Sequence, residues 1–132
     1  MKEQGTVAAD AAVSSATGLE PQFAAAMAYL AGPFSGVIIL MAERSNRFVR
    51  FHAWQAILGL GSLAVLALLF LFLAFAGLFV SPSAFRPFSW LSLMTGIVWL
   101  VAWGTCLVKA FGGAAFKLPL VGDRAERRAL KI

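Results

Sequence analysis

Three apolar runs, each free of Asp, Glu, Lys and Arg, divide the chain: Pro21 to Ala42, Ala53 to Phe85 and Pro87 to Val108. Each exceeds the roughly 20 residues that cross a hydrocarbon core at about 1.5 Å per residue. The pattern predicts an all-α integral membrane bundle of three transmembrane helices, at 23–42, 53–80 and 88–111. A short basic cytoplasmic C-terminal helix follows. Residues 1–20, built of Ala, Ser, Thr and Gly with scattered charge, read as a disordered tail, since they offer nothing to pack. The membrane domain is then 21–132, with an amphipathic cytoplasmic tail at 116–132.

Polar and small residues refine each run. In the first, Ala24, Ala28, Gly32 and Gly36 recur every fourth position, a stripe that lets another helix approach closely inside lipid. Pro33 predicts a kink. A re-entrant hairpin turning at GPFSG is the competing fold; it would put the acidic N-terminal tail on the basic side, so the kinked span is favoured. In the second run His52, Gln55, Gly59 and Ser62 are spaced three, four and three, one helical face. In the third, Ser89, Ser92, Gly96, Trp99 and Trp103 share a face assigned to the bundle interior, where the indole N–H of Trp99 needs a buried partner. Phe88 and Trp90 fit an interfacial aromatic belt.

Composition sharpens this. The chain is 61% hydrophobic and 13% charged, against roughly 45–50% and 25% for soluble domains. The net charge of +5 is distributed as membrane topology rather than as a nucleic-acid surface. Across a three-span arrangement the Lys and Arg residues divide nine against two, with the 43–52 loop and the C-terminal tail on the basic side. The positive-inside rule makes that side cytoplasmic and the N-terminus external. The first run follows a tail, has no basic segment before it and ends in charged MAERSNR, so it is read as a retained span rather than a secretory signal. Cys106, the one cysteine, is read as a packed thiol.

The densest polar cluster is RFVRFHAWQA, from Arg47 to Ala56. Arg44, Arg47 and Arg50 form a basic stripe if helical, and Glu43 lies four before Arg47. Phe48, Phe51 and Trp54 would set the depth of the helix start, with Trp54 in cation–π reach of Arg50. His52 and Gln55 are expected to hydrogen-bond inward, to the third span or to the closing KLPLVGD segment. Downstream, Asp123 and Glu126 resemble a capping box ahead of a helix carrying Arg124, Arg127, Arg128 and Lys131, suited to anionic lipid. Catalysis is not expected. His52 is the one histidine, no acid lies in any run to orient it, and no multi-histidine metal site can be assembled. No cofactor is expected, with His52 as an axial ligand to a pigment or haem the less favoured alternative to hydrogen bonding.

RFVRFHAWQA, with the opening AYLAGPFSGVIIL and the closing FKLPLVGDRAE, resembles the RFHAxQ signature of a family of small bacterial and archaeal membrane proteins. That family is similar to the Tic-twenty chloroplast inner-envelope import component and includes the magnetosome protein MamF. The resemblance covers about Leu19 to Ala129, and carries over Arg50, Phe51, His52 and Gln55, then Lys117, Pro119, Gly122 and Asp123. It implies a cytoplasmic or inner membrane location. The chloroplast proteins are described with four spans, against three here. The expected function is a non-enzymatic, oligomerising or accessory subunit of a membrane assembly, in contact with anionic lipid and not with nucleic acid. A component of protein translocation or membrane-protein biogenesis is the alternative implied by resemblance. A channel or transporter is disfavoured because no ionisable residue lies deep in a run.

Overall fold

The computed structural model describes residues 7–131, and the elements among them are helical. A single 3₁₀ turn at Asp10–Ala12 precedes α1 (Pro21–Leu30), α2 (Pro33–Ala42) and α3 (Arg47–Gln55). A π-helical stretch, Ala56–Leu60, joins α3 without a break to α4 (Gly61–Leu78). Then come α5 (Pro82–Phe111) and α6 (Gly122–Leu130).

The first apolar run is not one span. It folds as two ten-residue helices, each only about 15 Å long. Gly32 lies between them at φ 61° and ψ −132°, a conformation open to glycine alone. Pro33 cannot continue α1 but suits the first turn of α2. Ser35 ties the corner by accepting from the Ala31 N–H at 2.9 Å and donating to the Ala28 carbonyl at 2.9 Å. The run therefore turns back on itself. Its two ends meet: the Glu43 carboxylate accepts from Ser15 and from the Ala16 N–H at 2.8 Å. The Asn46 amide donates to the carbonyls of Asp10 and Val13, both at 2.8 Å. The Asp10 carboxylate accepts from the Arg47 N–H at 2.9 Å. Charge counting favoured the kinked span because it treated the acidic tail as something to be kept from the basic loop; here Asp10 accepts from the first N–H of the helix that begins within that loop. Of the residues read as a disordered tail, those from 7 onward include this pinned segment, and 1–6 lie outside the described residues.

Among the described residues two helices are long and apolar enough to cross a membrane, not the three expected: Arg47–Leu78, 32 residues, and Pro82–Phe111, 30 residues. They run antiparallel, and their contacts fix the register. The Trp99 indole donates to the Leu60 carbonyl at 2.9 Å and Ser92 donates to the Ala67 carbonyl at 2.9 Å. A Cβ built on Gly77 would lie 3.0 Å from that of Ala84. The hairpin packs beside the near half of this pair. Pro33 lies against Gly61, Gly36 against Ala53 and Ala56, and Gly32 against Trp99. Gly36 has no room for a side chain, since a Cβ there would sit 3.0 Å from the Ala53 carbonyl oxygen and 3.1 Å from the Ala56 Cβ.

Ala24, Ala28, Gly32 and Gly36 are all buried within the chain. The stripe is split by the turn at Gly32, so it does not form the single continuous face expected. Ser92, Trp99 and Trp103 do face inward, Trp103 donating to the Tyr29 carbonyl at 2.8 Å. Gly96 does not: a Cβ there meets nothing within 4 Å. Ser89 bonds back to its own helix at the Arg86 carbonyl, 2.9 Å away. Ser62 is exposed, its hydroxyl turned back to the carbonyls of Leu58 and Gly59 at the π-helical stretch.

Candidate functional site

The polar residues of α3 converge where the hairpin, the spans and the chain after α5 meet. Asn46 caps α3, its side chain accepting from the Val49 N–H at 3.1 Å. The helix turns His52 and Gln55 inward, three residues apart and both fully buried. Phe48 and Phe51 pack against the imidazole in T-shaped contacts, with centroids 4.6 and 5.0 Å away. Both phenylalanines are completely buried, so they are core residues rather than the depth anchors expected.

Tyr29, the one tyrosine, completes the cluster from α1. Its hydroxyl lies 2.8 Å from His52 Nδ1, and Gln55 Nε2 donates to it at 3.1 Å. The other imidazole nitrogen lies 3.1 Å from the Ala114 carbonyl. A carbonyl oxygen only accepts, so Nε2 carries the proton and Nδ1 accepts from the phenol. The chain of donation then runs without conflict from Gln55 to Tyr29 to His52 to Ala114. Gln55 does more. Its amide donates to the Phe116 carbonyl at 2.8 Å while its Oε1 accepts from the Leu118 N–H at 2.9 Å. One side chain thus grips the backbone of the closing segment at two points, as a neighbouring strand would. Cys106 Sγ lies 3.7 Å from the same amide nitrogen.

The closing segment, residues 112–121, is shaped to be held. Leu118 reaches down onto Gly59, where a built Cβ would lie 2.7 Å from its Cδ1. The Pro119 carbonyl accepts from the Val121 N–H at 2.9 Å, leaving Leu120 at φ 70° on the apex of a strained three-residue turn. Gly122 is buried against Lys117, with 2.5 Å between a built Cβ and that of the lysine. Lys117 Nζ bonds Glu126 at 2.6 Å and Asp123 at 3.0 Å. The Glu126 carboxylate, with help from Asp123, holds the ammonium above the usual lysine range in spite of burial. No side chain caps α6, whose N-cap is Val121; Asp123 and Glu126 serve the lysine instead of forming the expected capping box.

Of the expected basic stripe, Arg44 precedes α3, while Arg47 and Arg50 lie within it. Arg50 donates to the Glu43 carbonyl at 3.1 Å. The Glu43 side chain takes no arginine. Burial works to raise its carboxyl, but donation from the Asn46 N–H, the Ser15 hydroxyl and both donors of Ser45 holds it below the usual carboxylate range. Trp54 stacks with Arg128, 4.8 Å from ring centroid to Cζ, and not with Arg50. That contact, with Ala125 and Ala129 buried beside Phe51, seats α6 on α3. Arg124, Arg127 and Arg128 remain on its exposed face. The sequence reading missed Tyr29, although a lone phenol inside an apolar run signals a partner that must be found.

Two long apolar helices, their side chains largely unburied, define a helical membrane protein. Residues 18–124 match the model of the magnetosome magnetite crystal formation protein family, and the chain belongs to that family. It is similar to a UPF0132 membrane protein of Archaeoglobus fulgidus, 32% identical over 110 residues, covering 83% of this chain and 96% of the relative. A UPF0132 membrane protein of Methanocaldococcus jannaschii is 35% identical over 113 residues, covering 83% and 89%. No solved structure matches the chain.

Proposed function

We propose that this protein is a non-enzymatic membrane scaffold, an accessory subunit that presents a rigid basic face on the cytoplasmic side. In this reading the hairpin is re-entrant, and the chain crosses the membrane twice with both termini inside. Ten of the eleven Lys and Arg residues then fall on the cytoplasmic side, and only Arg86 lies across the membrane. The observation that carries the reading is the use made of the cluster. His52, Gln55, Tyr29 and Asn46 all spend their hydrogen bonds on holding the chain's own segments together. The arginines of α6, with Arg44, Lys109 and Lys131, are exposed and outnumber the exposed acids Glu20 and Asp123, a surface for anionic headgroups and an acidic partner.

The family's description concerns magnetite crystal formation. A direct mineral-templating role for this chain would need carboxylates or imidazole on the far side. All six Asp and Glu residues and the histidine fall on the cytoplasmic side of the two-span arrangement. Any influence on a crystal is therefore exerted through the membrane and its assembly. Photocrosslinkers at Arg127 and at Phe72 in living cells test this. Specific protein adducts from Arg127 support the scaffold. Nascent chains or translocation machinery captured there would favour the import alternative, and capture of lipid alone at both sites would refute an accessory-subunit role.

A further inference from the structure

The two halves of the membrane hold different numbers of helices. In the register set by Leu60 with Trp99 and Ala67 with Ser92, Lys109 lies level with Arg50, and Arg86 falls level with Leu73. From Arg50 to that level is about 35 Å of helix, close to the roughly 30 Å of a hydrocarbon core plus its margins. The hairpin corner, at Pro33 against Gly61, lies about 16 Å below Arg50 by the same measure. The hairpin therefore ends near the midplane. Its outer face is fit for lipid: Phe34 is 77% exposed, Met41 73% and Ile38 66%, in a run without charge.

One leaflet thus contains four helical segments: α1, α2, the α3–π stretch and the second half of α5. Phe116 and Leu118 widen it further, packed on the spans. The other leaflet contains two segments, α4 and the first half of α5. With each helix about 10 Å across, the near leaflet carries roughly 200 Å² more protein than the far one. The packing is rigid where it is wide, because Gly36 is wedged on Ala53 and the corner is tied to Trp99 and Trp103.

We propose that the protein is a conical membrane inclusion that generates or prefers curvature, with its wide end in the convex leaflet. The ligand is the bilayer itself, and the lipid-recognising element is the half-depth hairpin. In a cell whose cytoplasmic leaflet holds the wide end, such a molecule favours membrane bent toward the cytoplasm. The inference rests on the two-span reading above, and its test separates the two. Full-length protein carrying Ser14→Cys and Cys106→Ala is labelled with a dye and reconstituted into giant vesicles of phosphatidylcholine alone, so that the basic face contributes no electrostatic sorting. Tubes are drawn from the vesicles, and an impermeant quencher distinguishes molecules whose termini face outward from those facing inward. The ratio of tube to vesicle density should exceed one for the outward population and fall below one for the inward population. Equal ratios in both orientations, or ratios of one, overturn the wedge. Labelling of Ser14→Cys and Ser83→Cys from the same side would instead overturn the topology beneath it, whatever the sorting.

Discussion

The near half of the molecule and the far half are built from the same two long helices and held together by different means. Near Arg50, the helices are wrapped by the hairpin, the pinned N-terminal segment, the closing segment and α6, and they bury His52, Gln55, Tyr29, Glu43 and Asn46. Beyond Gly61 and Trp99 they stand alone, exposing Val65, Leu68, Phe72, Phe75, Leu93 and Val98. The near half owes its shape to directional hydrogen bonds and close backbone approaches. The far half has lipid for solvent and keeps only side-chain packing and few polar ties. Substitutions of one kind should therefore have opposite consequences in the two halves.

Glycine gives the largest contrast. Gly36→Leu must push against the Ala53 carbonyl, the Ala56 Cβ and Ile57 Cγ1, all within 3.2 Å of a built Cβ, and should cost about 3 kcal/mol or more. At Gly96 a built Cβ meets nothing within 4 Å, so Gly96→Leu starts into open space and should gain helix propensity, roughly 1 kcal/mol. Thermal unfolding in a mild detergent compares them directly. If Gly96→Leu is as damaging as Gly36→Leu, the far half is packed against something and the contrast between halves disappears. Gly32→Ala, which forces a side chain into φ 61°, should fall between them at about 1–3 kcal/mol.

Next comes the double grip on the closing segment. Gln55→Leu leaves the Phe116 carbonyl and the Leu118 N–H without their partner, a loss of about 1–3 kcal/mol. The effect should be local. Amide exchange should accelerate across 114–121 and stay unchanged along α4 beyond Gly61. Uniform acceleration would mean that the two halves fold as one unit.

Much of this was legible in the residues. Two of the charge-free runs marked the helices long and apolar enough to cross a membrane, the His52–Gln55 spacing marked an inward polar face, and the indole of Trp99 announced a buried acceptor. The hairpin was not legible, because Gly32-Pro33 is compatible with a kinked span and with a turn. What separates them is non-local: the Glu43 carboxylate bound to Ser15 and Ala16, 27 or 28 residues earlier in the chain. The small-residue stripe misled for the same reason, since a four-residue period has one face only if the helix is unbroken. Gly96 was assigned inward by periodicity alone, but a Cβ there meets nothing within 4 Å, although Ser92, four residues earlier, bonds across to α4.

The pinned N-terminal segment makes a pH-dependent case. The Glu43 carboxyl is lowered from its ordinary 4.5, so folding stability that it contributes is fully present above that value. It is lost as pH falls through the lower, folded value. Exchange at Ala16, Ser45 and Asn46 should rise on acidification, while the far half does not respond. Glu43→Gln should be the looser protein at neutral pH and should abolish this acid response.

The smallest effect belongs to the far half's own polar tie. Ser92 donates to the Ala67 carbonyl across the helix pair, whereas Thr95 turns back to Leu91 on its own helix. Hydrogen bonds between membrane helices average about 0.6 kcal/mol. Ser92→Ala should cost about that much, and Thr95→Ala less, because the Leu91 carbonyl keeps its place in the helix. A double-mutant cycle of Ser92→Ala with Gly36→Ala should then show no coupling, since the sites lie in different halves with no shared partner. Coupling well above the roughly 0.3–0.5 kcal/mol scatter of independent sites would show strain passing from the hairpin through Trp99 into the bare pair. Independence would mean that the far half is held by the turn at Phe79–Ser81, by side-chain packing and by lipid, with the near half setting only where it begins.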